Sequence, residues 1–428
     1  FLEKAYHLLS AIGYASFILP HRFFKTDYGE GLRKFLSTNK SITKIVDFDG
    51  FMVFKDASIN TCVILLSKSP KDNYKFAQIK FIRKPDSELP KFLEKIDLID
   101  ELFDKDLIIS NLSTKEFNEN PWIFIFSNEK DIWKKFTSNK TRLGDISSQI
   151  FQGLKTGSDA IFSIKIIHQF DNYSEIECPF DNNIYKIEND LLYPQVKGGD
   201  MKRYFVNETN KAVIFPYKNG KLIEKKEFEK SFPLTWKYLL THKYYLEKRE
   251  GGKMKGDSWY GYTRTQALSS MQQKKILTPE YYADASYCID QQGKYFFFGG
   301  GAGGYGIVIN DINNFYILGL LNSKLIDWGL QKISVRQYQT AFSYVKKYIE
   351  QIPIISIDNS DSGKINLYNQ IIALVERMLE LHKRDPQTPQ EADRIQREIA
   401  ATDAAIDKLV YELYGLTEEE VRIVEGAS

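Results

Sequence analysis

Residues 13–66 read GYASFILPHRFFKTDYGEGLRKFLSTNKSITKIVDFDGFMVFKDASINTCVILL. The apolar runs in this stretch predict strands over residues 14–19, 42–48 and 60–66. The last run is continuous rather than alternating, as expected for a strand that is buried on both faces. An amphipathic pattern over residues 29–37 predicts a helix between the first two strands. This order of strands and helix favours an α/β layer and corresponds to the second half of an open sheet.

The composition is that of a globular protein large enough for roughly two or three domains. The chain has 428 residues, of which 43% are hydrophobic and 27% are charged. No run approaches the roughly 18 apolar residues of a membrane helix, so no membrane partner is expected. Cys62, Cys178 and Cys288 form no CxxC or Cys/His motif, so neither a structural zinc site nor a disulfide framework is expected. This cysteine usage favours a reducing cytoplasm.

Charge is unevenly distributed along the chain, although the net charge is only +2. Residues 197–275 contain 18 Lys/Arg against 8 Asp/Glu, a surplus of positive charge, whereas residues 369–428 contain 7 against 13. The first segment predicts a surface that binds a polyanion, next to a helical segment with another role. Charge alone leaves open the alternative that these lysines only solvate a loop-rich region.

Element predictions divide the chain into an α/β layer at residues 1–85, a connector at 86–142, a mostly β, α+β domain at 143–355 and a helical tail at 365–428. Within the mostly β segment, residues 315–328 predict an inserted helix. The tail predicts an antiparallel helical hairpin. Its second helix begins after Thr388, a residue type that caps helix N-termini, and ends before Gly415.

A glycine-rich segment, GGGAGGYG at residues 299–306, formally contains the GxGxxG pattern of dinucleotide-binding loops. That motif needs a helix directly after it, whereas residues 305–309 predict a strand. We therefore expect a flexible β-connection that lets the backbone approach DNA, and not a cofactor site. The histidines, which show neither metal-ligand spacing nor pairing with a nucleophile, are His7, His21, His168, His242 and His382. Hydrolytic chemistry is therefore not predicted, and no metal site is expected.

Four segments carry a resemblance to a known family. They are residues 17–28 (FILPHRFFKTDY), 53–66 (VFKDASINTCVILL), 150–162 (IFQGLKTGSDAIF) and 196–204 (VKGGDMKRY). In order and spacing they resemble the TaqI-like and type IIG N6-adenine DNA methyltransferases, over nearly the whole chain. The resemblance implies the C-terminal half of a methyltransferase domain with a partial Rossmann-like sheet, followed by a DNA target recognition domain at residues 143–355 and a helical tail.

The resemblance also implies which residues meet DNA. Phe54 stands where relatives place an aromatic residue that stacks on a flipped-out adenine, and a flat apolar face would offset the lost base stacking. The alternative that Phe54 is a core residue stays open. The residues that the resemblance places against phosphates or base edges are Lys155, Thr156, Ser158, Lys197, Lys202, Arg203, Tyr204 and Arg264.

The chain departs from this family at the catalytic machinery. No [NDS]PP[YFW] tetrapeptide occurs, and no glycine-rich loop follows a first strand as an S-adenosylmethionine site requires. We therefore expect neither a catalytic residue nor bound S-adenosylmethionine in this chain, which would be a fragment that is inactive alone. In the full-length protein, a missing N-terminal methyltransferase half would supply both, and double-stranded DNA would be the partner.

Two other interpretations account for parts of the sequence. A stand-alone DNA specificity subunit that partners a separate catalytic subunit would also carry a recognition domain and helices. Residues 13–66 disfavour it, because such a subunit needs no methyltransferase strands. An unrelated α/β domain followed by a carbohydrate-binding β domain is disfavoured by the positive charge of residues 197–275, since a neutral sugar gains little from that charge.

Overall fold

The computed structural model describes residues 1–51, 53–54, 59–80, 89–300, 303–337, 340–357 and 360–426. The helices are α1 Leu2–Leu8, α2 Glu30–Thr38, α3 Leu89–Leu98, α4 Lys130–Thr137, α5 Asp159–Phe162, α6 Lys225–Ser231, α7 Pro233–Thr241, α8 Lys243–Gly252, α9 Asn314–Asn322, α10 Lys324–Ile333, α11 Lys346–Ile349, α12 Ser362–Lys383, α13 Pro389–Tyr414 and α14 Glu418–Val424. Within these described residues, no helix has both the length and the apolar character that a membrane crossing needs.

The strands are β1 Tyr14–Pro20, β2 Ile42–Asp47, β3 Thr61–Ser67, β4 Asn73–Ile79, β5 Leu102–Phe103, β6 Leu107–Ser113, β7 Ser147–Gln152, β8 Ser163–Gln169, β9 Tyr173–Glu177, β10 Ile184–Glu188, β11 Leu192–Pro194, β12 Lys211–Ile214, β13 Tyr217–Lys218, β14 Lys221–Leu222, β15 Lys275–Pro279, β16 Tyr281–Tyr282, β17 Cys288–Asp290, β18 Gly304–Ile309, β19 Arg336–Gln337 and β20 Ala341–Ser343.

The first layer is a six-stranded sheet with the order β1-β3-β2-β4-β6-β5. β2 and β4 run parallel, and the other neighbouring pairs are antiparallel. β3 lies between β1 and β2, and its residues Cys62, Ile64 and Leu66, which share one face, are fully buried. Val63 and Leu65 on the opposite face are half-buried, so the predicted burial on both faces is complete on one face only. The predicted strands and helix of residues 13–66 are present, each within one residue of its predicted ends. The predicted α/β fold class is confirmed.

Part of the predicted connector belongs to this sheet. β5 and β6 form its far edge, and β6 pairs with β4 along the whole length of β4. The aromatic segment that follows packs into the core of the same layer, where the Trp122 and Phe117 rings stack with centroids 4.1 Å apart. The α/β layer therefore extends past residue 85, and β6 covers an edge of β4 that would otherwise be open.

Within the described residues, the region from residue 143 to residue 355 holds fourteen of the twenty strands and is called the strand-rich region below. It also contains seven helices, α5 to α11, of similar total length, so the predicted α+β character holds but the strands do not predominate. A five-stranded sheet has the order β10-β9-β8-β12-β11, and a four-stranded sheet has the order β17-β15-β18-β7. The two sheets contribute to one aromatic core, in which Phe296 stacks on Tyr193 with centroids 4.1 Å apart and meets Phe215 edge-on at 4.9 Å. This core fixes the loops at which the candidate site lies.

The helix predicted at residues 315–328 is in fact two helices, α9 and α10, which meet at Ser323. The Ser323 hydroxyl accepts a hydrogen bond from the Ile326 amide at 3.4 Å, so a new helix begins there. Asn322 is fully buried and makes two hydrogen bonds, each 2.9 Å long, with the backbone of Tyr287. The prediction joined the two helices because this partner is distant in sequence.

The tail forms the predicted helical hairpin from α12 and α13. Thr388 caps α13 by accepting a hydrogen bond from the Glu391 amide at 3.2 Å, and Gly415 ends it with a φ angle of 70°. The hairpin packs against α9 where Gly319 leaves room, since a Cβ at Gly319 would lie 2.8 Å from Cγ2 of Ile371. The tail therefore shares one hydrophobic core with the strand-rich region.

The glycine-rich segment leads into a strand and not into a helix, as predicted. β18 begins at Gly304 and pairs with both β15 and β7. A Cβ at Gly304 would lie 2.5 Å from the Thr278 carbonyl oxygen, and one at Gly306 would lie 2.5 Å from the Phe151 ring. Close packing of the sheet therefore explains these glycines.

Candidate nucleic-acid interface

Two neighbouring loops are held together by the buried side chain of Arg249. Arg249 is only 6% exposed, and its guanidinium donates to the carbonyl oxygen of Gly261 at 2.8 Å and to that of Thr156. Burial lowers the pKa of Arg249 to about 10, which still leaves the guanidinium charged at neutral pH. The loops that carry Lys155 and Arg264 are thus fixed to each other by one buried cation.

Lys155 and Arg264 are exposed and border a small cleft. The Arg264 amide donates to the Lys155 carbonyl at 3.3 Å, and Arg264 pairs with Glu250 at 2.7 Å. The cleft, about 260 Å³ in volume, is lined by these two basic side chains and by Gln149, Gln152 and Gln266. Cationic and amide side chains on one concave surface are the types that contact phosphates and base edges.

A second cleft lies beside the five-stranded sheet, whose residues Ser163 and Lys211 line it. It neighbours the first cleft at Gly299, whose amide donates to the Leu154 carbonyl at 2.9 Å. Its volume is about 380 Å³, and Lys197 and Lys211, both exposed, line it together with Gly299. The Lys197 amide donates to the Asp200 carboxylate at 2.9 Å, so Asp200 shapes the turn. Lys155, Lys197 and Arg264 are thus exposed around two adjacent concave surfaces.

The segment at residues 202–204 faces the helical tail. Arg203 donates to Asp403 of α13 at 2.6 Å, and the Lys202 ammonium donates to the Tyr282 hydroxyl at 3.2 Å. Tyr204 is 2% exposed, and burial raises the pKa of its phenol. Tyr204 is thus buried, and Arg203 joins the strand-rich region to the tail. The contacts of Lys202, Arg203 and Tyr204 with DNA stay predictions.

Thr156 is fully buried, and its hydroxyl makes two hydrogen bonds, one as donor and one as acceptor. It donates to Asp159 at 2.5 Å and accepts from the Ser158 amide at 3.0 Å, closing a turn in which Gly157 has a φ angle of 75°. These internal bonds and the burial of Thr156 leave its hydroxyl no exposed surface in this structure, and its contact with DNA stays a prediction. Ser158 is half-buried, and its contact with DNA stays a prediction.

Phe54 is 47% exposed. It belongs to the segment between β2 and β3, of which residues 52 and 55–58 lie outside the described residues. Earlier in this segment, Asp49 pairs with Arg336 at 2.6 Å and lines a cavity of about 280 Å³ between the first layer and α10. An exposed aromatic ring suits the predicted stacking role, which stays a prediction.

Several charged side chains lie close together around the cavity beside Asp49, although their spacing in the sequence did not predict this cluster. His21 Nδ1 lies 2.8 Å from the Asp47 carboxylate, and the Lys25 ammonium donates to the Ser334 carbonyl at 2.6 Å. Burial lowers the pKa of Lys25 to about 7. These contacts join the first layer to the region after α10, and residues so far apart in sequence carry no shared local pattern. A second group that spacing did not reveal consists of Cys178, Asp181 and His242.

Two family models match the chain. The model described as the TaqI-like C-terminal specificity domain matches residues 193–354, and the one described as the Eco57I restriction-modification methylase matches residues 1–54. The type II restriction enzyme and methyltransferase RM.Eco57I of Escherichia coli is 29% identical over 454 residues, which cover 99% of this chain and 43% of that protein. The chain is homologous to type II restriction-modification enzymes.

The restriction-modification homology confirms the resemblance found in the sequence. The type II methyltransferase M.HindII of Haemophilus influenzae is 26% identical over 298 residues, covering 65% of this chain and 51% of that protein. The chain thus spans about half the length of the curated relatives it matches. The methyltransferase relatives imply that this family uses S-adenosylmethionine.

A solved structure agrees with the fold of the restriction-modification family. The type IIL restriction-modification enzyme MmeI, solved in complex with DNA, matches with a TM-score of 0.57 and 13% identity, covering 99% of this chain and 50% of that chain. The likeness concerns the fold, and it extends over the α/β layer, the strand-rich region and the helical tail together.

Proposed function

We propose that this chain is the sequence-specific DNA-recognition part of an adenine-specific (N6) DNA methyltransferase, within a type IIG restriction-modification polypeptide or a related methyltransferase. The observation that carries the proposal is the pair of adjacent clefts at which Lys155, Lys197 and Arg264 are exposed. The clefts lie in and beside the segment that matches the TaqI-like specificity domain.

The electrostatics of this region support a polyanionic partner. Of the 18 basic residues in residues 197–275, Arg249 and Lys275 are buried in internal contacts, and Lys197, Lys211 and Arg264 are exposed. Exposed cations that replace counterions along a phosphate backbone supply most of the affinity of non-specific DNA binding. Among the glutamines of the first cleft, Gln149 accepts from Ser270 and Gln152 donates to Glu280, whereas the exposed Gln266 could pair with adenine through two hydrogen bonds in the major groove.

The catalytic half would be supplied by residues outside this chain. The sequence contains no [NDS]PP[YFW] tetrapeptide to align an adenine amino group, and its glycine-rich segment leads into β18 instead of a helix. These residues do not fit an S-adenosylmethionine site, so the cofactor would be bound by the rest of the full-length protein. Activity of that protein, inactivity of this chain alone and a cytoplasmic location are predictions.

Lys197→Ala is expected to weaken binding to every duplex alike and to lower the magnitude of the salt slope by about 1, because one phosphate contact is lost. Fluorescence anisotropy with a labelled duplex of arbitrary sequence, at about 50 and 200 mM salt, measures both quantities. Lys383→Ala removes an exposed lysine from α12 and is the matched control, with an unchanged slope. Equal effects of the two variants, or salt-independent binding by the wild-type chain, would count against the proposal.

Phe54→Ala is expected to reduce base flipping in the complete enzyme, because the extruded adenine loses the ring on which it stacks. The measurement is the fluorescence of 2-aminopurine placed at the target adenine, with duplex affinity recorded in parallel. Phe54→Tyr keeps a flat ring and should retain the signal of the wild-type enzyme. An unchanged 2-aminopurine signal in Phe54→Ala would remove the stacking role.

A stand-alone specificity subunit with a separate catalytic partner is the alternative to this proposal. The match of residues 1–54 to a restriction-modification methylase favours the methyltransferase assignment, since that segment forms β1, α2 and β2 of the first layer. Sequencing the adjoining gene region distinguishes the methyltransferase assignment from the stand-alone specificity subunit. An N-terminal extension of the same reading frame that carries the [NDS]PP[YFW] loop supports the proposal, and a separate gene for that half supports the alternative.

A further inference from the structure

Three metal-binding side chains meet where the β9–β10 hairpin contacts the end of α7. Cys178 and Asp181 lie in the turn that joins β9 to β10, and His242 directly follows α7. Their ligand atoms lie within 4.8 Å of one another. Cys178 is fully buried and His242 is 2% exposed. Within the part of the chain that the structure describes, no other three His, Cys, Asp or Glu side chains come together in this way.

Two of these donor groups are already oriented by further partners. Nδ1–H of His242 donates to the Tyr238 carbonyl at 3.0 Å, which leaves Nε2 as the ring nitrogen that faces Asp181. The Asp181 carboxylate accepts from the Asn183 amide at 3.1 Å and from the Tyr185 hydroxyl at 2.6 Å. Histidine and carboxylate ligands of metal ions in proteins carry such outer partners, which fix the tautomer and the orientation of each ligand.

The spacing of the donor atoms suits a tetrahedral ion. Nε2 of His242 lies 3.2 Å from Oδ2 of Asp181 and 3.9 Å from Sγ of Cys178. Zinc binds sulfur at about 2.3 Å and nitrogen or oxygen at about 2.0–2.2 Å, which places neighbouring tetrahedral donors about 3.3–3.6 Å apart. The two distances from Nε2 are within a few tenths of an ångström of these values. Sγ of Cys178 and the Asp181 carboxylate lie within 4.8 Å of each other, so a shift of up to about 1.2 Å would bring this third pair to a zinc geometry.

We propose that Cys178, Asp181 and His242 form a zinc site with three protein ligands, in which a water molecule is the fourth ligand. A mixed set of sulfur, nitrogen and oxygen donors favours zinc over magnesium or calcium, which prefer oxygen alone. A thiolate, a neutral imidazole and a carboxylate balance the two positive charges of the ion. Binding transfers the thiol proton of Cys178 to solvent, and the Tyr238 hydroxyl lies 3.1 Å from Sγ, within hydrogen-bond reach of the thiolate.

A zinc ion can reach the site from solvent, and its binding would stabilise the surrounding structure. The Asp181 side chain is 24% exposed, so an ion and its water ligand reach the cluster from solvent. The ion would cross-link the β9–β10 turn to the junction of α7 and α8. Because α8 begins directly after His242 and carries Arg249, a fixed His242 also steadies the two loops that Arg249 holds. The zinc site does not depend on the proposed DNA function.

Cobalt substitution of the full chain tests this site. Wild-type protein treated with chelator and titrated with Co²⁺ is expected to bind one equivalent, with a sulfur-to-cobalt charge-transfer band and the intense visible bands of four-coordinate Co²⁺. Zinc should displace the cobalt and raise the unfolding temperature by mass action. Elemental analysis of protein purified with zinc gives the stoichiometry independently.

Matched variants separate this site from adventitious binding. Cys178→Ser should abolish the charge-transfer band, and Asp181→Asn, a partly exposed position that should fold normally, should weaken cobalt affinity about tenfold or more. Cys288→Ser and His168→Gln change a cysteine and a histidine outside the cluster and should keep both the band and the affinity. Absence of the band in wild-type protein, or its persistence in Cys178→Ser, would show a hydrogen-bonded cluster without a metal and overturn the proposal.

Discussion

Replacing Lys275 by Met is expected to lower the free energy of unfolding by about 3–5 kcal/mol. The Lys275 ammonium and the Asp290 carboxylate are 2.6 Å apart, and their side chains are 0% and 1% exposed. Burial lowers the pKa of Lys275, and the nearby carboxylate opposes that shift. Asp290 also accepts hydrogen bonds from the amides of Lys294 and Tyr295, at 3.1 and 2.9 Å. Without the ammonium, the carboxylate keeps these two amides but is left as an uncompensated buried charge.

Urea denaturation of the wild-type protein and of Lys275→Met under the same conditions measures the difference between their free energies of unfolding. The matched control is Lys294→Met, because Lys294 forms an exposed pair with Glu208 at 2.7 Å and its backbone amide keeps the bond to Asp290. Exposed pairs contribute about 1 kcal/mol or less, so this control should unfold close to the wild-type midpoint. A loss as small in Lys275→Met as in Lys294→Met would show that the buried pair does not stabilise the four-stranded sheet.

Replacing Arg249 by Met is expected to lower the free energy of unfolding by about 3 kcal/mol and to weaken DNA binding as well. The guanidinium donates to the carbonyl oxygens of Leu246, Trp259, Gly261 and Thr156. Methionine fills a similar volume but donates no hydrogen bond, so these buried carbonyl oxygens lose a charged donor. Among the described residues, the loops bearing Lys155 and Arg264 then keep only the hydrogen bonds that the Arg264 amide and the Thr263 hydroxyl donate to the Lys155 carbonyl, at 3.3 and 3.2 Å.

Thermal unfolding and duplex anisotropy together separate the two effects of Arg249. Arg249→Lys keeps the positive charge but lacks the planar fork, so its stability should fall between the wild type and Arg249→Met. Lys253→Met changes an exposed lysine close in sequence and should leave stability unchanged. If Arg249→Met is less stable but binds duplex DNA with wild-type affinity below its unfolding temperature, the clefts at these loops are not the DNA-binding surface.

The plan of secondary structure was predictable wherever the deciding chemistry is local. The strands and helix of residues 13–66 follow from apolar periodicity, and the ends of α13 follow from the capping properties of Thr388 and Gly415. The prediction of helix boundaries failed where a residue distant in sequence determines the end of a helix. Asn322 binds the backbone of Tyr287, and the chain turns into a second helix at the next residue.

The residue types of the candidate interface were predictable, but their exposure was not. Lys155, Lys197 and Arg264 are exposed, as a phosphate-binding role requires, whereas Thr156 and Tyr204 are buried. No local pattern distinguishes these two groups, because exposure depends on which loops and helices pack against each residue. Arg249 draws the loop of Thr156 inward, and the tail helix α13 pairs with the segment that contains Tyr204.

By itself, the sequence determined the fold class, the homology to restriction-modification methyltransferases and the lack of an [NDS]PP[YFW] loop in this chain. These properties reside in short segments whose order and spacing can be read directly. Only the tertiary structure decided that Cys178 and Asp181 meet His242, which lies 64 and 61 positions further along the chain. The physical reason is that the packing of α7 against the β9–β10 hairpin sets this proximity, and such packing depends on the shape of the whole core.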